Sequence, residues 1–381
     1  MRERMKRLSK AMMDNAIVSV IALVIVFLFT LVPLTFSSFN TSQTMREQYS
    51  LMGTYFMMNN HLSAKRPYQQ TSNDVIIVDV ANVYDRDTLV NIIDMIGSSG
   101  PAAIGLDVFF AERMSDEADD RLSYLAGQKN VISPIILQGE SRSKDASFRY
   151  ALYPFYMDAA SSNAGFVNVA TSGASQTCRT FSWTLQLDTT EVQNFNLALL
   201  RASSESAYAQ ALARGNKTEL INYCLNSFSI YSAESVSENL DVFKDKVVLI
   251  GDREDISDRH VTPLDLRTPG VDIHAMIMAT MLEGKYINEM SEAGAWILAF
   301  AVIFLFLPIL QLLKKNSWMA IFAPIFQFFM IILAIFICFI IFISFGYYVR
   351  VVYSLIALGF VDVSYNLYEK IRETCVRLFS R

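Results

Sequence analysis

The chain has 381 residues, of which 52% are hydrophobic and only 18% charged. That is more apolar than a purely soluble protein and long enough for one large domain besides membrane spans. Residues 37–292 carry 20 Lys+Arg against 32 Asp+Glu, a net of −12, while the remainder is net +7; an acidic block between basic ends disfavours nucleic acid as a partner, because phosphate binding needs a basic surface.

Residues 1–16 include Arg2, Arg4, Lys6, Arg7 and Lys10 and read as a basic cytoplasmic N-terminus. Residues 17–36 carry no charge, and at about 1.5 Å per residue they cross the hydrocarbon core. A cleaved signal peptide has an apolar region of up to about 15 residues and a small-x-small cleavage site. This stretch is longer, and Thr35-Phe36-Ser37-Ser38-Phe39 is a poor site, so a retained anchor is expected.

Residues 37–292 are expected to form one domain outside the membrane. Apolar, largely β-branched runs recur at 75–78, 103–108, 131–136 and 246–251. They are continuous, as in strands buried on both faces. Helical spacing lies between them at 88–96 and again at 273–282. Strands alternating with helices predict an α/β domain with a largely parallel central sheet. Residues 138–147 read as a polar loop, and 203–218 as a helix or surface excursion.

Residues 293–313 form a second predicted span, followed by Lys314-Lys315. Residues 316–349 hold no charge. They are too long for one simple span, which predicts a third helix over 318–343, a turn at 344–346 and a fourth helix over 347–367. Trp296, Trp318, Tyr347, Tyr348, Tyr365 and Tyr368 fall at headgroup depths. With four spans, the N-terminal flank, Lys314-Lys315 and the tail over 368–381 share one side. The positive-inside rule makes that side cytoplasmic and puts the acidic domain in the periplasm or outside the cell. The lipid bilayer of a bacterial inner membrane is the expected setting.

Arg350 and Asp362 lie twelve residues apart, about 18 Å along a helix, and so do not pair with each other. Each either snorkels to its interface or, for Asp362, meets a neighbouring or partner helix. Leu367, Ile371, Cys375 and Leu378 form one apolar stripe on a continuing helix. Its readings are a lipid-lying helix end and a docking surface for a cytoplasmic partner.

Several segments resemble a known family. Gly105-Leu106-Asp107-Val108-Phe109-Phe110-Ala111-Glu112 is similar to the "GxDxxFxE" signature of the type-two CHASE domain, a cyclase/histidine-kinase-associated sensory extracellular domain. Residues 245–251 resemble its late core strand, and 164–169 its middle strand. Asp258 through Thr262-Pro263-Leu264 resembles its "DxxxTPL" turn, and Pro269-Gly270-Val271-Asp272-Ile273-His274-Ala275 its "PGVEIHA" segment. The resemblance implies a non-catalytic sensory module with one span before it and three after. Two features depart from the pattern. The usual Asp-Gly turn and basic pair are replaced by residues 172–179, where only Arg179 is kept. The sequence also ends about 14 residues past the last predicted span, where relatives continue into an output domain. The expectation is therefore a sensor coupled to a separate effector or complex subunits. A homodimer is a further expectation, since relatives feed dimeric outputs.

Asp79 and Asp107 end predicted strands, and ligands bind at that edge of open α/β sheets. Asp252 follows another strand, with Asp258, His260 and His274 nearby. These six are the candidate ligand-binding residues; Asp362, Leu367, Ile371 and Leu378 are the candidate docking residues. Carboxylates and imidazoles also suit metals and acid–base work, so a metal-assisted hydrolase using Asp79, Asp107 and His274 stands as an alternative. An architectural envelope subunit is another. No metalloprotease or nucleophile-elbow pattern occurs, and no metal or cofactor is expected. Asp116, Glu117, Asp119 and Asp120 lack calcium-loop spacing and read as a solvated helix start. Cys178 and Cys224 face the oxidising side, which leaves a disulfide between them open.

Overall fold

The computed structural model describes residues 2–31, 51–64, 72–114, 116–139, 147–157, 163–172, 177–315 and 317–379. The chain divides into two compact units, Phe39–Ile287 and Met1–Ser38 with Asn288–Arg381. The end of the first expected span (32–36), most of the polar loop (140–146) and the turn at 173–176 lie outside the described residues.

The larger unit is built on a sheet of β1 (Ser72–Asp79), β2 (Ala103–Asp107), β3 (Val131–Gln138), β4 (Tyr150–Leu152), β5 (Ala164–Phe166), β6 (Phe228–Ser232) and β7 (Val247–Gly251). The order is β6-β1-β7-β2-β3-β4, with β5 also on β3. Every pairing is parallel except β3 with β4, so the expected mixed α/β architecture with a largely parallel sheet is what forms.

Side chains alternate across a strand, and both faces of this sheet are covered. On one face Val248, Ile250, Ile104 and Leu106 pack with Ile92, Ile93 and Ile96 of helix Arg86–Ser98. That helix starts because the Asp85 carboxylate accepts from the Thr88 amide at 2.7 Å, an N-cap that satisfies one of the first-turn donors. On the other face helix Phe195–Ser203 lies against Gly105. A Cβ there would stand 2.7 Å from Leu249 and 2.9 Å from Leu199 and Phe195, so the motif glycine is what lets the helix approach. Residues 203–218 do carry a helix, Glu205–Ala213. Helix Leu51–Ala64 and strand β6 had no clear sequence signal.

In the other unit, three described helices are long and apolar enough to cross a membrane, with apolar stretches Ser9–Leu28, Glu292–Lys314 and Ala323–Phe345. The last opens with Pro324 in its first turn, where no amide is missed. It ends on Gly346 at φ 59°, a left-handed cap suited to glycine.

The expected continuous helix over 347–367 is corrected. Tyr347–Tyr348 are extended and pair with Asn288–Glu289. Helix Val352–Gly359 then stops, and helix Val361–Phe379 begins. The break falls at Gly359-Phe360. Glycine is a poor helix former, and the Phe360 amide bonds both the Ile356 and Ala357 carbonyls, a tightened last turn.

Polar contacts gather at two ends of this unit. At one, Tyr368 donates to Asp14 (2.6 Å), Gln311 to Asn15 (3.1 Å) and Lys314 to Asp362 (2.7 Å). At the other, Arg350 pairs with Glu289 (2.8 Å) and Tyr353 donates to Glu292 (3.2 Å) while stacking on Trp296. Arg350 and Asp362 thus have separate partners, and Asp362 meets the neighbouring helix Glu292–Lys314. Leu367, Ile371 and Leu378 are exposed.

Candidate functional site

The parallel register fixes where the strand-end acids stand. Asp79 of β1 is opposite Gly251 of β7, which is opposite Asp107 of β2. All three close the carboxyl edge of the sheet, where loops after successive strands leave a crevice. A cavity of about 540 Å³ opens there, within the range of small-molecule sites. The loops after β1, β2 and β7 wall it, together with Pro134 and Ile136 of β3, Val167, and His274 of helix Gly270–Leu282.

Four of the six candidate residues line this cavity: Asp107, Asp252, Asp258 and His274. Asp79 does not. Its carboxylate accepts from the amides of Ala81 and Arg253, both at 3.1 Å, and so ties the β1 and β7 loops together. His260 is also outside the lining; its Nε2 bonds Asp258 Oδ1 at 2.9 Å.

The lining residues differ in how far their bonding capacity is used. His274 is buried, and its Nδ1 receives the Asn196 amide at 2.8 Å. An amide nitrogen only donates, so Nδ1 is the acceptor and the proton sits on Nε2. The Val167 carbonyl accepts a ring hydrogen bond. Burial pushes the imidazole down to about 4, because the charged form is disfavoured away from water. It is neutral near pH 7, with both nitrogens committed. Asp252 caps the amides of Glu254 and Asp255.

Asp107 is different. Among the described residues no donor reaches its carboxyl, which faces the cavity partly buried. Burial pushes it up to about 7, and the nearby Asp258 carboxylate adds to the rise. Asp258 is held at the start of helix Gly270–Leu282. Its carbonyl accepts the Gly270 amide at 3.1 Å, and a Cβ on residue 270 would lie 2.1 Å from Asp258 Oδ2. The glycine before the His274 segment therefore makes room for the acid. Thr262, buried, fixes the following turn by accepting the Leu264 and Asp265 amides and bonding Thr268 Oγ1 at 2.9 Å.

Several wall residues escaped the sequence reading. Arg86 reaches Asp119 (2.6 Å) and the Glu112 carbonyl (2.6 Å), and its guanidinium lies over Phe110 and Phe155 at 4.6 and 4.8 Å. Asp119 is fully buried, which corrects its reading as part of a solvated helix start. The signature's Phe110 ring and Glu112 main-chain carbonyl thus frame an arginine from helix Arg86–Ser98. Tyr84, 92% exposed, stands at the rim. The Asp85–Thr88 cap spacing was the one signal that could have placed Arg86 at a helix start.

Two further expectations meet the geometry. Cys178 and Cys224 are free thiols, so the disulfide left open by the sequence is not formed. Among the described residues no group of three or more His, Cys, Asp or Glu side chains is placed to hold a metal ion. Asp79 lies outside the cavity lining with Oδ1 held by the Ala81 and Arg253 amides, and the His274 ring is held by Asn196, so the three side chains are not gathered on one cavity wall.

An α/β domain with a crevice at its carboxyl edge, on a chain with membrane-length apolar helices, is the class that fold and site define. The family model of the CHASE2 domain matches residues 23–311, and the chain belongs to that family. CHASE2 is a sensory extracellular domain family, not a catalytic one. No curated protein and no solved structure matches the chain significantly.

Proposed function

We propose that this protein is a bacterial inner-membrane sensor whose periplasmic or extracellular domain binds a small ligand at the Asp107 cavity and passes the event through its membrane helices to a cytoplasmic effector. The observation that carries the reading is a carboxyl group, reached by no donor among the described residues, that faces a cavity of about 540 Å³ at the sheet edge where α/β domains bind ligands. A desolvated acceptor left unpaired is a cost that a ligand removes.

Topology supports the same reading. Asp14, Asn15, Gln311, Lys314, Asp362 and Tyr368 meet at one end of the membrane unit. The basic flanks therefore fall together, as the positive-inside rule asks of a cytoplasmic face. The broken pair Val352–Gly359 and Val361–Phe379 then supplies a fourth crossing and continues into the cytoplasm. Exposed Leu367, Ile371 and Leu378 offer the effector a docking stripe, and a homodimer fits this arrangement.

The test compares wild type with Val83→Trp, which fills the cavity, both purified in native lipid. Mass spectrometry of released small molecules should find a compound in the wild type alone. Restoring it should change hydrogen exchange over residues 292–379. Identical small-molecule contents and identical exchange would refute the proposal.

A further inference from the structure

The structure assigns a ligand class to this cavity: we propose that it takes a small molecule bearing a protonated amine with N–H donors, held by Asp107 and Asp258, with an apolar body against Phe109 and Tyr84. This rests on the reading of the cavity as a ligand site.

Charge is the first argument. The lining holds five carboxylates, at 85, 107, 252, 255 and 258, and one cation, Arg86. That guanidinium is spoken for by Asp119 and the Glu112 carbonyl, and His274 is neutral. Among the described lining residues no cationic group is left to hold an anion, so a ligand carboxylate or phosphate would enter a field of its own sign.

Unmet valence is the second. Asp85 receives the Thr88 amide, Asp252 the Glu254 and Asp255 amides, Asp255 the Ser257 amide and hydroxyl, and Asp258 the His260 ring nitrogen. Four of the five are thus engaged by their own loops. Asp107 alone among these receives no donor from the described residues. Asp258 retains its second oxygen and lies near enough to raise the Asp107 pKa. An ammonium has three N–H donors and can serve both carboxylates, relieving the like-charge repulsion between them.

Size and shape are the third. The cavity is far larger than a bare ion needs, and no metal-binding group is present among the described residues. The aromatic and apolar wall suits an organic body. A quaternary ammonium would enjoy aromatic contact but has no N–H, and would leave Asp107 unmet.

The experiment is calorimetric titration of the full chain in lipid nanodiscs at pH 8, with 2-phenylethylammonium, its N,N,N-trimethyl analogue and 3-phenylpropanoate. The ammonium should bind, the trimethyl analogue at least tenfold more weakly, and the carboxylate not at all. Asp107→Asn should weaken the ammonium at least tenfold. Asp94→Asn, an exposed acid away from the cavity, should not, and Asp258→Asn should fall between. Retained cooperative unfolding of each variant shows that it is folded. Equal binding of the carboxylate or the trimethyl analogue, no binding of the ammonium, or full binding by Asp107→Asn overturns the assignment. If the compound released from native-lipid material is an anion, the ligand class falls and the sensory reading stands. If no compound depends on the open cavity, both fall.

Discussion

Replacing Asp107 by Asn should stabilise the protein without ligand, by an amount that grows as pH rises from about 5 and is full above about 7. Its carboxyl is raised from an ordinary 3.8 to about 7 in the folded domain. Between those values the folded state keeps a proton that the unfolded chain has lost, so stability falls as pH rises through this window. Above pH 7 the full penalty is present. Three units at about 1.36 kcal/mol each, discounted for partial exposure, give a penalty on the order of 3–4 kcal/mol. The asparagine removes it but leaves amide hydrogen bonds unmet, worth about 1 kcal/mol. The net gain at pH 8 is then roughly 2–3 kcal/mol, and Tm should rise by about 5–10 °C for a domain of this size. At pH 5 the two terms nearly cancel and the gain should vanish. Buried Trp183 reports the unfolding of this domain by fluorescence. An equal or lower Tm at pH 8, or the same gain at both pH values, would refute the electrostatic argument, the second outcome pointing to packing instead.

Asp119→Asn removes the only carboxylate paired with Arg86 among the described residues, at a fully buried position, and should cost about 3–5 kcal/mol, read as a lowered urea midpoint. Gly105→Ala places a methyl within 2.7–2.9 Å of Leu249, Leu199 and Phe195 and should cost about 1–3 kcal/mol in the same titration. Maleimide labelling of the native protein should modify exposed Cys375 first. Cys178, buried with its thiol pushed up to about 12, should react only after unfolding. Because Cys178 and Cys224 are free, the number of thiols labelled in denaturant should be the same with and without reductant.

The sheet was legible because its strands are buried on both faces, and that burial forces continuous apolar runs such as 75–78 and 246–251. The membrane stretches were legible because apolar length is itself the physical requirement for crossing a bilayer. Strand-end position likewise pointed to Asp107. It pointed equally to Asp79, since the two occupy equivalent places on β1 and β2. What separates them is the Arg253 amide, 174 residues from Asp79 in the chain, which engages one acid and leaves the other open. Helix continuity after Phe345 also lay beyond composition, because the pairing of Tyr347–Tyr348 with Asn288–Glu289 decides it.

By itself, then, the sequence determined the alternation of strands and helices, the apolar spans and the charge contrast between them, since each depends on local composition and period. The tertiary structure alone decided that His274 is neutral and held by Asn196, that Asp119 is buried under Arg86, and that Asp107 faces the cavity with no donor among the described residues. Those properties arise from partners distant in the chain, and hydrogen-bond satisfaction and desolvation exist only once the partners have been brought together.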